Sequence, residues 1–216
     1  TRLIGALVMA HGDDNGVSFP PRLAPTQVVI VPIWKTDAER EKISEAARLA
    51  VEELKGAFRV HADLRDEVSP GWKFNEWEIK GVPLRLEIGP KDLEKDQFMA
   101  VRRLDRVKVP VPRGGLAARV AELLERIQSD MLEKGRAFLR ANTRDAGSYD
   151  EFKKALDEVG GFFRAHWCGS PECEKRIKAE TKATIRCIPL QGNREDGTCL
   201  VCGAPSSAWV YLARAY

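Results

Sequence analysis

Between Gln27 and Ile33 the chain reads QVVIVPI, and this run constrains the fold more than any other stretch. It carries no charge and is rich in β-branched side chains, which suits a strand covered on both faces. The following sequence supplies a cover. Thr36 and Glu39 have the spacing of a capping box, and Ile43, Ala46, Ala47, Ala50, Val51 and Leu54 recur at helical intervals before Gly56. FRVHAD, Phe58 to Asp63, then alternates in polarity and reads as a second strand. A strand, a helix and a strand in that order make a parallel βαβ unit.

The alternation continues. Ser69 and Pro70 suit the N-cap and first turn of a helix ending at Lys80-Gly81. VPLRLEI places Val82, Leu84, Leu86 and Ile88 on one face of a strand and Arg85 and Glu87 on the other. Phe98 to Leu104 and Val107 to Val111 are further strand-like segments, so a mixed sheet of about five strands is expected. Val120, Leu123, Leu124, Ile127 and Met131 then stripe a long helix reaching about Ala141. After a break at NTRDAGS, Ser148 and Glu151 form a second capping box, opening a helix toward Phe163.

With 216 residues, 44% hydrophobic and 31% charged, the chain is long enough for one or two globular domains, and no apolar run is long enough to cross a bilayer. A membrane partner is not expected. The net charge of +3 is mild, yet residues 72–113 alone hold ten Lys/Arg against seven Asp/Glu, a surplus as large as the whole chain's. That bias permits a nucleic-acid partner without demanding one.

All five cysteines follow residue 167. Cys168 and Cys173 are separated by four residues, and Cys199 and Cys202 by two. Both spacings let two thiolates reach one tetrahedral zinc ion, and a four-thiolate site, having no open position, is structural. His166 is a competing ligand that four cysteines make unnecessary. Cys187, flanked by strand-like residues, reads as a small buried apolar side chain.

GWKFNEWEIKGVPLRLEIGPKD, Gly71 to Asp92, crowds Trp72, Phe74 and Trp77 among Lys73, Glu78, Lys80, Arg85, Lys91 and Asp92. Aromatic rings stack on unpaired bases, cations bond guanine acceptors or phosphates, and carboxylates accept from base amino groups. Spacing alone favours a plainer reading, with core aromatics and solvated charges. Trp209 and Tyr211, which would face a partner in a zinc-ribbon interaction module, are likewise adequately explained by core packing. No Gly-x-Ser-x-Gly elbow, Walker loop or Gly-x-Gly-x-x-Gly fingerprint occurs, so no self-contained catalytic residues are expected.

The opening TRLIGALVMAHGDD fits a secretory signal poorly, since its cation is Arg2 alone and no small-x-small site precedes Asp13 and Asp14. Leu3 to Ala10 reads instead as an apolar helix or strand buried in a larger core.

These stretches, taken with PPRLAP and the terminal ARAY, together resemble the C-terminal part of prolyl-tRNA synthetases of the archaeal/eukaryotic-like type. The likeness runs along essentially all 216 residues and is weakest from Leu93 to Ala141. It implies the tail of a class II catalytic domain over 1–26, an α/β anticodon-binding domain over 27–128 and a small α+β zinc-binding domain over 129–216. Arg2 would match the third class II motif's arginine, which contacts ATP phosphates, with Leu3 to Ala10 the buried helix behind the ATP site. Phe74 would stack on anticodon bases, while Glu78, Arg85, Lys91 and Asp92 would read the two guanines shared by proline anticodons. Trp77 and Lys80 would be structural or accessory. Cys168, Cys173, Cys199 and Cys202 would hold structural zinc, and Tyr216 would support the active site. The implied whole is a cytoplasmic homodimer that activates proline with ATP and Mg2+ and charges tRNA(Pro), with this stretch inactive by itself. The alternative is a non-enzymatic nucleic-acid-binding protein reusing the anticodon-binding fold.

Overall fold

The computed structural model describes residues 1–192 and 194–215. These divide into two units, Thr1–Gly135 and Arg136–Tyr216.

The first unit begins with α1 (Arg2–His11) and a short hairpin, β1 (Gly12–Asp13) and β2 (Gly16–Val17). It continues as β3 (Val28–Pro32), α2 (Asp37–Leu54), β4 (Val60–Ala62), α3 (Pro70–Ile79), β5 (Leu84–Ile88), α4 (Pro90–Glu94), β6 (Gln97–Arg102) and β7 (Lys108–Pro112), followed by α5 (Leu116–Ala141). The five strands from β3 to β7 form the expected mixed sheet, in the order β4-β3-β5-β6-β7. β3 pairs in parallel with β4 and β5, whereas β5, β6 and β7 are antiparallel.

QVVIVPI becomes the sheet's interior strand, with every residue of β3 buried. Its alternate residues serve two cores. Val28 and Ile30 join Leu84, Leu86 and Ile88, the α2 stripe and the α5 stripe. Val29 and Val31 face Val82 and the half-buried rings of Phe74 and Trp77 on α3. Val82 therefore lies opposite the face expected for it, because it precedes the start of β5. The Thr36–Glu39 capping box forms at the start of α2, and Ser69 caps α3 with Pro70 in its first turn.

Arg85 and Glu87 depart further from expectation. Alternation puts them on the polar face of the strand, yet they are only 9% and 6% exposed. The α3 ring layer and their own pairing cover them. α1 forms as a helix, and among the described residues none of its side chains is buried, Leu3 and Met9 being 85% and 72% exposed. The two-residue strands beside it are too small to cover its apolar side chains.

That hairpin docks on the end of α3. Gly81 adopts φ +72°, and a Cβ there would lie 2.6 Å from Phe19 and from the Val17 carbonyl oxygen. The guanidinium of Arg103 bonds both oxygens of Asp13, at 2.8 and 2.6 Å, holding that carboxyl down near 2.

The second unit holds β8 (Thr143–Asp145), α6 (Tyr149–Glu158), β9 (Phe162–His166), α7 (Pro171–Thr181), β10 (Ala183–Cys187), β11 (Arg194–Thr198) and β12 (Pro205–Arg214). Its sheet runs β10-β12-β9-β8, with β11 also paired to β12. Phe152 and Leu156 of α6 and Ile177 of α7 pack on Phe163, Ala165, Val210 and Leu212. The helix expected to reach Phe163 ends at Glu158, because Gly160 and Gly161 take φ of 67° and 94° and turn the chain into β9. NTRDAGS, read as a break, contains β8.

Cys187 is exposed rather than buried, since a register shift between Ile185 and Cys187 turns it outward. Trp209 and Tyr211 also escape the core. They stand half-buried opposite Val210 and Leu212, edge to face at 5.1 Å, with Arg164 against the Trp209 ring. Among the described residues no helix is long and apolar enough to cross a membrane.

Candidate functional site

α3 lies on the sheet face that carries the odd-numbered residues of β3 and β5. Parallel pairing sets Val29 beside Arg85 and Val31 beside Glu87. Phe74 thus rests partly on the valines, while the Arg85 guanidinium lies 4.2 Å from its ring centroid. Glu78, one turn further along α3, brings Oε1 to 3.6 Å from Arg85 Nη1 and Oε2 to 3.3 Å from Arg106 Nη2. Arg103 donates through Nε to the Glu78 carbonyl at 3.1 Å, fixing that end of the helix. Phe74, Glu78 and Arg85 therefore meet.

Lys91 and Asp92 occupy α4, beyond the carboxyl end of β5. Lys91 is exposed. Asp92 accepts from Gly89 N–H at 3.0 Å and from Gln97 Nε2 at 3.4 Å, so its carboxylate already caps α4. Trp77 donates to Asp63 Oδ2 at 2.8 Å, and Lys80 pairs with Glu76 at 2.7 Å, both structural attachments. Arg2 is exposed at the first turn of α1, and Tyr216 falls outside the described residues.

Three features escaped the sequence reading. Arg106 and Lys108 flank the cluster from the β6–β7 turn and β7, and Glu87 lies within it. The signal for Glu87 was its two-residue spacing from Arg85 in a strand, which puts both on one face. A separate knot holds the loop before α3. Asp63 accepts from Arg65 at 2.8 and 2.6 Å and from Trp77, and Arg65 reaches Glu76 at 2.5 Å. Burial opposes the Asp63 carboxylate, but these donors outweigh it and hold the carboxyl down near 2. Lys73, only 2% exposed, donates to the carbonyls of Asp63 and Arg65 with Trp34 beside its ammonium. Burial pulls its pKa down.

In the second unit two knuckles converge. Cys168 follows β9, Cys173 lies in the first turn of α7, and Cys199 and Cys202 sit in the turn from β11 to β12. Gly203, at φ 72°, permits that turn, and its N–H bonds the Cys199 carbonyl at 2.9 Å. Leu200 N–H to the His166 carbonyl, at 3.0 Å, joins the knuckles.

All four Sγ atoms lie within 4.8 Å of one another, and Cys168 is 3.7 Å from both Cys173 and Cys202. Four sulfurs about 2.3 Å from one tetrahedral ion are about 3.8 Å apart, so the donor set fits zinc. Burial and neighbouring sulfurs push the Cys173 thiol up to about 12. At Cys199 burial acts the same way, but the N–H groups of Cys202 and Val201 prevail and bring the thiol to about 6. More than one thiolate here requires a cation among them.

Residues 27–123 match the family described as Anticodon binding domain, and residues 149–216 match Prolyl-tRNA synthetase, C-terminal. The whole chain is 50% identical to a Proline--tRNA ligase of Roseiflexus castenholzii over 220 residues, and 51% identical to that of Rubrobacter xylanophilus over 216. The corresponding ligase of Flavobacterium psychrophilum is 48% identical over 217 residues. The chain spans about 45% of the length of these relatives. Two domain matches in tandem, with about half of all positions identical along its full length, make this chain a member of the prolyl-tRNA synthetase family, corresponding to that family's C-terminal part.

Proposed function

We propose that this chain supplies anticodon recognition and a structural zinc domain to an enzyme that activates proline with ATP and Mg2+ and transfers it to tRNA(Pro). The observation carrying this reading is the meeting of Phe74, Glu78 and Arg85 within the region that matches an anticodon-binding domain. Guanine presents acceptors at O6 and N7 and donates through N1–H and its N2 amino group; adenine offers an amino donor where guanine has O6. A guanidinium beside a carboxylate satisfies guanine and mismatches adenine. Lys91 and Asp92, on the neighbouring α4, would complete the contacts to the two anticodon guanines, and Phe74 would stack on a base.

The remaining assignments rest on family membership. Residues 1–26 would be the end of the catalytic domain, 27–128 the anticodon reader and 129–216 the zinc domain. Arg2 would contact ATP phosphates, and Tyr216 would support the active site. The whole protein would be a cytoplasmic homodimer. Cys168, Cys173, Cys199 and Cys202 would hold the zinc, which when bound supplies a closed cross-link rather than catalysis.

The test is binding to a tRNA transcript carrying the proline anticodon and to a copy whose two anticodon guanines are replaced by adenines, at one fixed salt concentration. Glu78→Ala and Arg85→Ala should each weaken binding to the first transcript by about 1–3 kcal/mol while leaving the second nearly unchanged. Equal, salt-dependent binding of both transcripts by the unaltered chain would leave a generic basic surface and favour the non-enzymatic reading.

A further inference from the structure

Arg85 and Glu87 form a buried ion pair on a sheet face whose neighbouring Lys108 is exposed. Their side chains are 10% and 8% accessible. Burying two charges carries a desolvation cost that a hydrophobic pair of similar volume would avoid, so the pair is not accounted for by stability alone. Its geometry offers another reason. Arg85 Nε donates to Glu87 Oε1 at 3.0 Å, and Nη2 lies 2.9 Å from the same oxygen. Those two nitrogens form the side edge of the guanidinium fork. The end edge, carrying Nη1, is turned toward Glu78. Phe74 lies against the guanidinium face, so the plane is held from the side and from one face.

We propose that Glu87 is a positioning residue for nucleotide recognition: it takes the side edge of Arg85 and thereby presents the end edge next to the Glu78 carboxylate. Lys108 stands 3.5 Å from Glu87 Oε2 and leaves Oε1 to Arg85. Without Glu87 the guanidinium could turn its side edge to Glu78 and close the donor–acceptor gap that guanine fills. This inference rests on the anticodon-reading proposal above and adds to it a residue that need not touch RNA.

The test is a double-substitution cycle in the 216-residue chain, read as the ratio of affinities for the guanine-bearing and adenine-substituted transcripts. Arg85→Ala should lower that ratio about tenfold or more. Glu87→Gln, which keeps the shape but loses the charge, should lower it several-fold in the parent and leave it unchanged in the Arg85→Ala background, because its effect passes through Arg85. Glu87→Asp keeps the charge but draws the carboxylate back, and should give an intermediate ratio; it also serves if Glu87→Gln fails to show a cooperative thermal transition. A purely structural role would weaken both transcripts alike and leave the ratio untouched. If Arg85→Ala lowers the ratio while folded Glu87→Gln or Glu87→Asp does not, the positioning role is overturned and the reading of Arg85 survives. If Arg85→Ala leaves the ratio unchanged, the anticodon reading of Arg85 fails, and the role of Glu87 falls with it.

Discussion

The first unit's sheet and the second unit's sheet are both covered by helices, but they are held together differently. In the first, β3 is buried along its whole length between two layers, with α2 and α5 on one face and α3 on the other. In the second, α6 and α7 pack on one face, while Phe162, Arg164, Trp209 and Tyr211 line a half-open opposite face. The smaller unit accordingly has the smaller apolar core, and it alone carries the cysteine cluster. Small domains bury a smaller fraction of their surface and commonly need a staple. The contrast teaches that the same layered architecture can stand on apolar burial in one place and, in another, gather four thiols whose spacing fits a metal cross-link.

The contrast can be broken most forcefully at the cysteines. Cys199→Ser should release metal and cost the second unit more than about 5 kcal/mol, since structural thiolate zinc sites contribute about 10–16 kcal/mol against a typical domain stability of about 5–15. Metal content by atomic absorption and hydrogen exchange in each unit would check this. Retention of one zinc per chain, with unchanged protection of α7 and β12, would sink the ligand assignment.

An equally deep apolar change in the first unit should leave the metal alone. Ile30, fully buried on β3, should cost about 2–5 kcal/mol when replaced by Ala, read from urea unfolding, with zinc content unaltered. A loss below about 1 kcal/mol would mean that this core collapses around the cavity more readily than its packing implies.

A smaller effect should mark the polar knot before α3. The Asp63 carboxyl is held near 2, below its unfolded value of about 3.9, so its contribution is complete above that value and is lost as the pH falls through about 2. The difference corresponds to about 2–3 kcal/mol. Urea midpoints of the parent should fall more steeply between about pH 4 and pH 2 than those of Asp63→Asn. Parallel curves would show that Arg65 and Trp77 contribute no net stabilisation through this carboxylate.

Much of the larger unit was legible residue by residue. Thr36 and Glu39 announced α2, Ser69 and Pro70 announced α3, and the apolar runs gave all five strands because short-range periodicity and capping chemistry are local properties. The cysteine spacing likewise pointed to one cluster, and the four sulfurs do converge. Errors arose where a residue's surroundings come from distant chain. Arg85 and Glu87 read only as the polar face of their strand, yet α3 and their own pairing bury them. Cys187 read as buried, yet a register shift in β10 turns it outward.

By itself, then, the sequence determined the order and kind of most elements from β3 to α5, the two covered faces of β3 and the chemistry of the four thiols, because backbone propensity and side-chain type are written locally. Only the tertiary structure decided that Phe74 and Glu78 from a helix meet Arg85 from a strand, that Glu87 holds one edge of that guanidinium, and that Asp92 spends its carboxylate on a helix cap. The physical reason is that burial and hydrogen-bond partnership depend on which surfaces the folded chain brings together.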